Sequence, residues 1–187
     1  MANLIYVTNV TLDGYIEDEH GDVNLFPIDD DVFTAYTDLL RSASTFLYGR
    51  RLYDTMSVWE TNADLATASD LMADFAAAWQ AASKIVYSTS LAETSTAHTR
   101  IERRFDPAAV RDLKAAAGGD LTIGGADLAG QALKANLVDE VQLFVLPMII
   151  GGGKPALPRG TRTALDLLDE HRFGNGVVRL RYRPVNH

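Results

Sequence analysis

The chain has 187 residues, 47% hydrophobic and 22% charged, with a formal net charge of −8 and no cysteine. A chain of that length is expected to form one domain, residues 1–187, burying about 70% of its unfolded surface. The acidic balance excludes nonspecific nucleic-acid binding, which needs a basic face, and the lack of cysteine excludes disulfides, thiolate zinc sites, iron–sulfur clusters and cysteine nucleophiles.

No basic segment followed by an apolar one opens the sequence, and the longest apolar run, Leu143 to Ile150, is eight residues interrupted by Pro147. A membrane span needs about 20. A soluble, cytoplasmic protein with neither membrane nor nucleic-acid partners is expected.

In chain order, Asn3 to Val10 is β-branched and apolar and predicts a buried strand. Thr11-Leu12-Asp13-Gly14-Tyr15 predicts a turn, with Asp13 as a turn residue, and an acidic loop follows from Glu17 to Asp22. Asp29, Asp30 and Asp31 precede Val32, Phe33, Tyr36, Leu39 and Leu40 at helical spacing. The acids suit the positive end of a helix dipole, so they read first as capping groups. Thr45 to Tyr48 predicts a second strand and Arg50 to Met56 a short helix.

Ala66 to Ala82 is alanine-rich, with Leu71, Phe75, Ala78 and Trp79 on one face, and predicts a long helix. Lys84 to Tyr87 reads as a strand and Ser88 to Thr99 as a polar loop. Pro107 suits the first turn of a helix reaching about Ala117, ended by Gly118-Gly119. A strand at Asp120–Ile123, a helix at Gly125–Ala135 and a strand at Asp139–Leu146 follow. Strands at Ala164–Leu168 and Val177–Arg183, around a Gly174-Asn175-Gly176 turn, close the pattern. Alternating strands and helices predict an α/β fold of three αβα layers, with a mostly parallel twisted sheet and antiparallel C-terminal strands.

Two strand-to-turn junctions carry the functional signal. Phe46-Leu47-Tyr48-Gly49-Arg50-Arg51 and Leu121-Thr122-Ile123-Gly124-Gly125-Ala126-Asp127 each end an apolar run in glycine and start a helix at once. Glycine permits a tight turn and close backbone approach, the free N–H groups of a helix start bind phosphate, and arginine pairs phosphate bidentately. Open α/β sheets bind ligands at the carboxyl ends of their strands. The G-x-G-x-x-G dinucleotide fingerprint is absent, and Gly151-Gly152-Gly153-Lys154-Pro155 is no phosphate loop, because proline follows the lysine. His20, His98, His171 and His187 lie too far apart for ligand spacing, so no metal site is expected. Arg179, Arg181 and Arg183 alternate with Leu180 and Tyr182 as in a half-exposed strand.

In their order, four segments resemble the dihydrofolate reductase-like superfamily, and most closely the reductase domain of the bifunctional riboflavin-biosynthesis deaminase/reductase. These are Val10-Thr11-Leu12-Asp13-Gly14-Tyr15-Ile16, Leu47-Tyr48-Gly49-Arg50-Arg51-Leu52-Tyr53, Ile123-Gly124-Gly125-Ala126-Asp127-Leu128, and Leu137-Val138-Asp139-Glu140-Val141 through Pro147-Met148-Ile149-Ile150-Gly151-Gly152-Gly153. The resemblance implies a dihydrofolate reductase-like fold, NADPH as hydride donor, a small-molecule substrate such as a ribosylaminopyrimidine phosphate, and a homodimer. Carried over by position, Gly49, Arg50 and Arg51 would hold the phosphate end of NADPH, and Gly124, Gly125, Ala126, Asp127 and Leu128 its pyrophosphate. Thr8, Asn9 and Ile16 would flank the nicotinamide, and Ser88 and Thr89 the adenosine side. Among the acids, Asp30 is the candidate proton donor, and Phe26, Trp59 and Met148 are candidate substrate-pocket walls. The zinc-dependent deaminase half has no counterpart in a chain without cysteine. A dihydrofolate reductase, or a nucleotide-binding protein of this fold without catalysis, are the alternatives.

Overall fold

The computed structural model describes residues 1–185; His187 lies outside the described residues. Strand β1 (Leu4–Thr11) is followed by a three-residue strand β2 (Tyr15–Glu17). Helix α1 (Asp30–Ser42) begins where the Asp29 side chain accepts from the Val32 backbone N–H, satisfying one of the unpaired donors of a helix start. Strand β3 (Ala43–Gly49) leads into α2 (Arg50–Met56), and two single-turn helices follow, α3 (Val58–Thr61) and α4 (Ala63–Ala66).

The helix expected at 66–82 starts later, as α5 (Asp70–Ala81). Ser69 caps it by accepting from Met72, while Thr67 closes α4. A cap residue decides a boundary that alanine content alone leaves open. Strand β4 (Ser83–Tyr87) is joined in parallel by β5 (Thr99–Glu102), which sequence reading leaves unassigned because Ile101 is its one apolar residue. Helix α6 (Pro107–Ala116), strand β6 (Asp120–Gly124), helix α7 (Ala126–Lys134) and strand β7 (Glu140–Leu146) follow the expected alternation. A two-residue strand β8 (Lys154–Pro155) pairs with β2, and the antiparallel hairpin β9 (Ala164–Arg172) and β10 (Val178–Val185) ends the fold. Polar Asp169, Glu170, His171 and Arg172 extend β9 beyond its expected end, because backbone pairing with β10 holds them.

The main sheet runs β5-β4-β3-β6-β1-β7-β10-β9. Its first six strands are parallel and β10 and β9 antiparallel. Side chains alternate between faces. Leu4, Tyr6, Leu47, Ile85, Leu121 and Ile123 pack beneath α6 and α7 through Val110, Leu128, Ala129 and Ala132. On the other face Phe46, Tyr48 and Val86 meet α1, α2 and α5 through Leu40, Tyr53, Phe75 and Trp79. These faces make the expected three αβα layers.

Two buried lysines serve this frame. Lys84 is sealed against the Trp79 ring and donates to the Trp79 and Gln80 carbonyls at the end of α5, where a cation offsets the helix dipole. Burial lowers its pKa, partly opposed by Glu60. Lys114 donates to the Leu137 carbonyl and to Asp139, tying α6 to the start of β7.

Candidate functional site

Parallel strands end at one edge, so the strand order places their terminal residues in a row. Ser88 and Thr89 follow β4, Gly49 ends β3 with Arg50 opening α2, and Gly124 ends β6 with Gly125 preceding α7. Thr8, Asn9 and Thr11 end β1, and Pro147 and Met148 follow β7. At about 4.8 Å per strand, the row from β4 to β1 spans about 14 Å.

The two glycine junctions abut. A β-carbon on Gly125 would lie 3.8 Å from the Gly49 nitrogen, and Gly125 has φ +90°, a conformation that side chains disfavour. Gly124 has a packing role: a β-carbon there would meet Leu52 of α2 at 2.3 Å. No side chain caps α7, so the N–H groups of Ala126, Asp127 and Leu128 open its N-terminus behind Gly125. Asp127 is bound by Lys154, which links this turn to the glycine loop.

Arg50 and Arg51 do not act together. Arg50 donates to Ser90 at 2.7 Å and lies 3.5 Å from Asp54, so it faces the end of β4. Arg51 bonds Glu17 at 3.0 Å and reaches the Gly21 carbonyl, which draws the acidic loop over it. An open cleft of about 710 Å³ lies there, lined by Glu17, Asp18, His20, Arg51, Gly153 and Lys154. Ser88 is buried and its hydroxyl accepts from the Ser90 and Leu91 N–H groups, whereas Thr89 is exposed. Arg103, not singled out from sequence, donates to the Ser88 and Leu91 carbonyls and adds a second cation at this end.

At the other end, Thr8 donates to the Asn9 carbonyl, and the Asn9 side-chain oxygen accepts from Tyr36 of α1. Tyr36 stacks on Phe144 with centroids 4.2 Å apart, and burial raises its phenol pKa. Phe26 and Met148 pack in the same cluster, with Val32, Phe144 and Tyr36. Trp59 does not join them: it packs on Phe33 and Phe75 beneath the helices. Ile16 is half-buried in β2 beside β8. Asp29 is spent on capping, and Asp30 and Asp31 are exposed on the first turn of α1. Sequence reading passed over Tyr36 because its spacing fits an apolar helix stripe; only the fold sets its hydroxyl against Asn9.

Asp13 is more than a turn residue. It accepts from Gly151 N–H at 2.8 Å, from Ile150 N–H at 3.2 Å and from the Thr11 hydroxyl at 2.6 Å. It thereby pins the glycine loop to the end of β1. Among the described residues no cluster of three potential ligands suits a metal ion, and no helix is long and apolar enough to cross a membrane.

The RibD C-terminal domain family model matches residues 2–179. The uncharacterized protein YyaP of Bacillus subtilis (strain 168) is 31% identical over 186 residues, 92% of this chain and 90% of that protein. A provisionally assigned riboflavin biosynthesis protein from Shewanella sp. PV-4 superposes with a TM-score of 0.74 at 21% identity, each chain covered in full. The diaminohydroxyphosphoribosylaminopyrimidine deaminase/5-amino-6-(5-phosphoribosylamino)uracil reductase of Thermotoga maritima superposes with a TM-score of 0.65 at 17% identity. It is covered over 57% of its length by 98% of this chain, so the two share one part of a longer protein. With a match over nearly its whole length and the same sheet with its antiparallel C-terminal strands, this chain belongs to the RibD C-terminal domain family.

Proposed function

We propose that the chain is an NADPH-dependent reductase acting on a polar heterocyclic small molecule, similar in reaction to a 5-amino-6-(5-phosphoribosylamino)uracil reductase. The observation that carries this reading is the row of strand ends in which the Gly49 and Gly125 backbones abut, open to close approach by a phosphate, with Arg50 at one end and Asn9 at the other. The residues present fit the cofactor. The Gly125 turn leaves no side chain in the way, the α7 N-terminus offers backbone donors to a pyrophosphate, and Arg50 with Ser90 offers a charged fork and a hydroxyl to a further phosphate.

Bound NADPH would supply the hydride. The chain's share is orientation and exclusion of water. Phe26 and Met148, packed over the buried Phe144, would form an apolar wall for a planar ring, and Asp13 holds the glycine loop that closes one side. None of the acids of α1 is buried toward this wall, which disfavours the dihydrofolate alternative and favours a proton delivered by solvent.

A homodimer belongs to the same reading. On one face of the terminal hairpin Leu165, Leu167, Leu180 and Tyr182 line up, with Leu165 and Leu167 exposed, while the other face carries the charged pairs. A second copy of the chain would cover the apolar face.

The reading is tested by NADPH oxidation with the ribosylaminopyrimidine phosphate beside dihydrofolate at equal enzyme. Turnover with the pyrimidine alone is expected. Turnover with dihydrofolate alone would replace this reading, and binding of NADPH with neither substrate consumed would make the chain a nucleotide-binding protein.

A further inference from the structure

Asn9 and Tyr36 join a polar contact to the packing of β1, β7 and α1. Asn9 lies beside Phe144 in the β1–β7 pairing, and Tyr36 covers both, stacking on the Phe144 ring and donating to the Asn9 side-chain oxygen at 2.5 Å. Tyr36 is half-buried, and its hydroxyl meets the amide oxygen of Asn9, which turns the amide nitrogen away from it. With the oxygen taken, the half-buried Asn9 presents its two N–H donors, and no acceptor in the described chain takes them.

The carboxylates of this neighbourhood are committed elsewhere. Asp29 caps α1, Asp13 accepts from the Thr11 hydroxyl and the Ile150 and Gly151 N–H groups, and Asp30 and Asp31 are exposed. A fixed amide donor on an apolar wall pairs with a carbonyl oxygen. It leaves the donors of a protonated amidine unsatisfied, which disfavours that ligand.

Resting on the reductase reading above, we infer that Asn9 is the specificity-determining residue for the hydride acceptor. It selects a ring carbonyl over an amidine, and Tyr36 is the positioning residue that holds its amide in that sense. The site therefore accepts lactam-type heterocycles and rejects diamino-substituted ones of the same shape.

Uracil and 2,4-diaminopyrimidine are matched probes for this choice, titrated by NMR into the full chain with NADPH present. Uracil is expected to shift the Asn9 side-chain amide signal and to bind at least fivefold tighter than the diamine. Asn9→Asp, which keeps an acceptor for Tyr36 and replaces the donor by a carboxylate, is expected to reverse that order. Tyr36→Phe keeps the ring on Phe144 and is expected to bring the ratio toward one with NADPH affinity unchanged, which a purely structural tyrosine would not do.

An Asn9 amide signal indifferent to uracil, or an Asn9→Asp variant with the parent's ratio, overturns the assignment of Asn9. A Tyr36→Phe variant with the parent's ratio overturns that of Tyr36. If NADPH itself does not bind, the reductase reading falls, while the probe ratio measured without it still decides the role of Asn9.

Discussion

Asp13 shows how one exposed carboxylate ties the glycine loop to the end of β1. The Thr11 hydroxyl, followed by the Gly151 and Ile150 N–H groups, stabilises its charged form and holds its pKa below the usual carboxylate value. A depressed carboxylate contributes stability that is fully present above its unfolded pKa, about 3.9, and is lost as pH falls through its lower folded value. Asp13→Ala is therefore expected to melt below the parent at neutral pH, with the gap closing in acid. A gap that stays constant across that range, read by thermal unfolding, would mean that charge does not hold the loop. Arg50 makes a second prediction at this scale. If it binds a cofactor phosphate by a charge-assisted bond, Arg50→Ala weakens NADPH by about 1.5–3 kcal/mol, roughly tenfold to a hundredfold, in a fluorescence titration. Arg51→Ala is expected to change affinity less, because its guanidinium is spent on Glu17 and Gly21.

Among the elements, the two-strand pair β2 and β8 matters most for the site, and it hangs on one glycine. Gly153 has φ +133°, and a β-carbon there would lie 2.0 Å from the Glu17 carbonyl oxygen. Backbone cannot yield as a flexible side chain does. Gly153→Ala is expected to cost on the order of 3 kcal/mol in urea unfolding and to separate β2 from β8. Gly124→Ala should cost less, since the obstructing atom is the end of the Leu52 side chain. Both strands are too short to carry a periodic signal, so they were not visible in sequence. The run Gly151-Gly152-Gly153 beside β8 was, though nothing in it marks the strand pair.

For the whole molecule, the sheet has one covered end and one open end. Helices cover both faces at β4, β3 and β1, whereas β9 is exposed along nearly its whole length. The hairpin's charged face is internally balanced through Arg181 with Glu140 and Arg179 with Asp169 at 2.9 Å, and the Glu140 bonds raise the Arg181 pKa. The opposite face carries Leu165, Leu167, Leu180 and Tyr182. Sedimentation is expected to give twice the chain mass of 20.4 kDa, and Leu167→Asp, at an exposed position, to return it to the monomer without unfolding it. A parent chain that sediments as a monomer would remove the dimer from the reading. The alternation of Arg179, Arg181 and Arg183 with Leu180 and Tyr182 was legible in sequence, but it does not say that β10 lies between β7 and an exposed strand.

Local physics was enough for much of this protein. Apolar runs, helical spacing, Pro107 at a helix start and glycines at strand ends are decided by neighbours a few residues apart, so the strand–helix alternation, the three layers and both glycine junctions were readable without coordinates. The divergence of Arg50 and Arg51, the anchoring of Ile150 and Gly151 by Asp13, and the bond from Tyr36 to Asn9 join residues 27 to 138 positions apart. Only tertiary structure decided these, because the direction of a long polar side chain follows from whichever partner the folded sheet brings within hydrogen-bond reach.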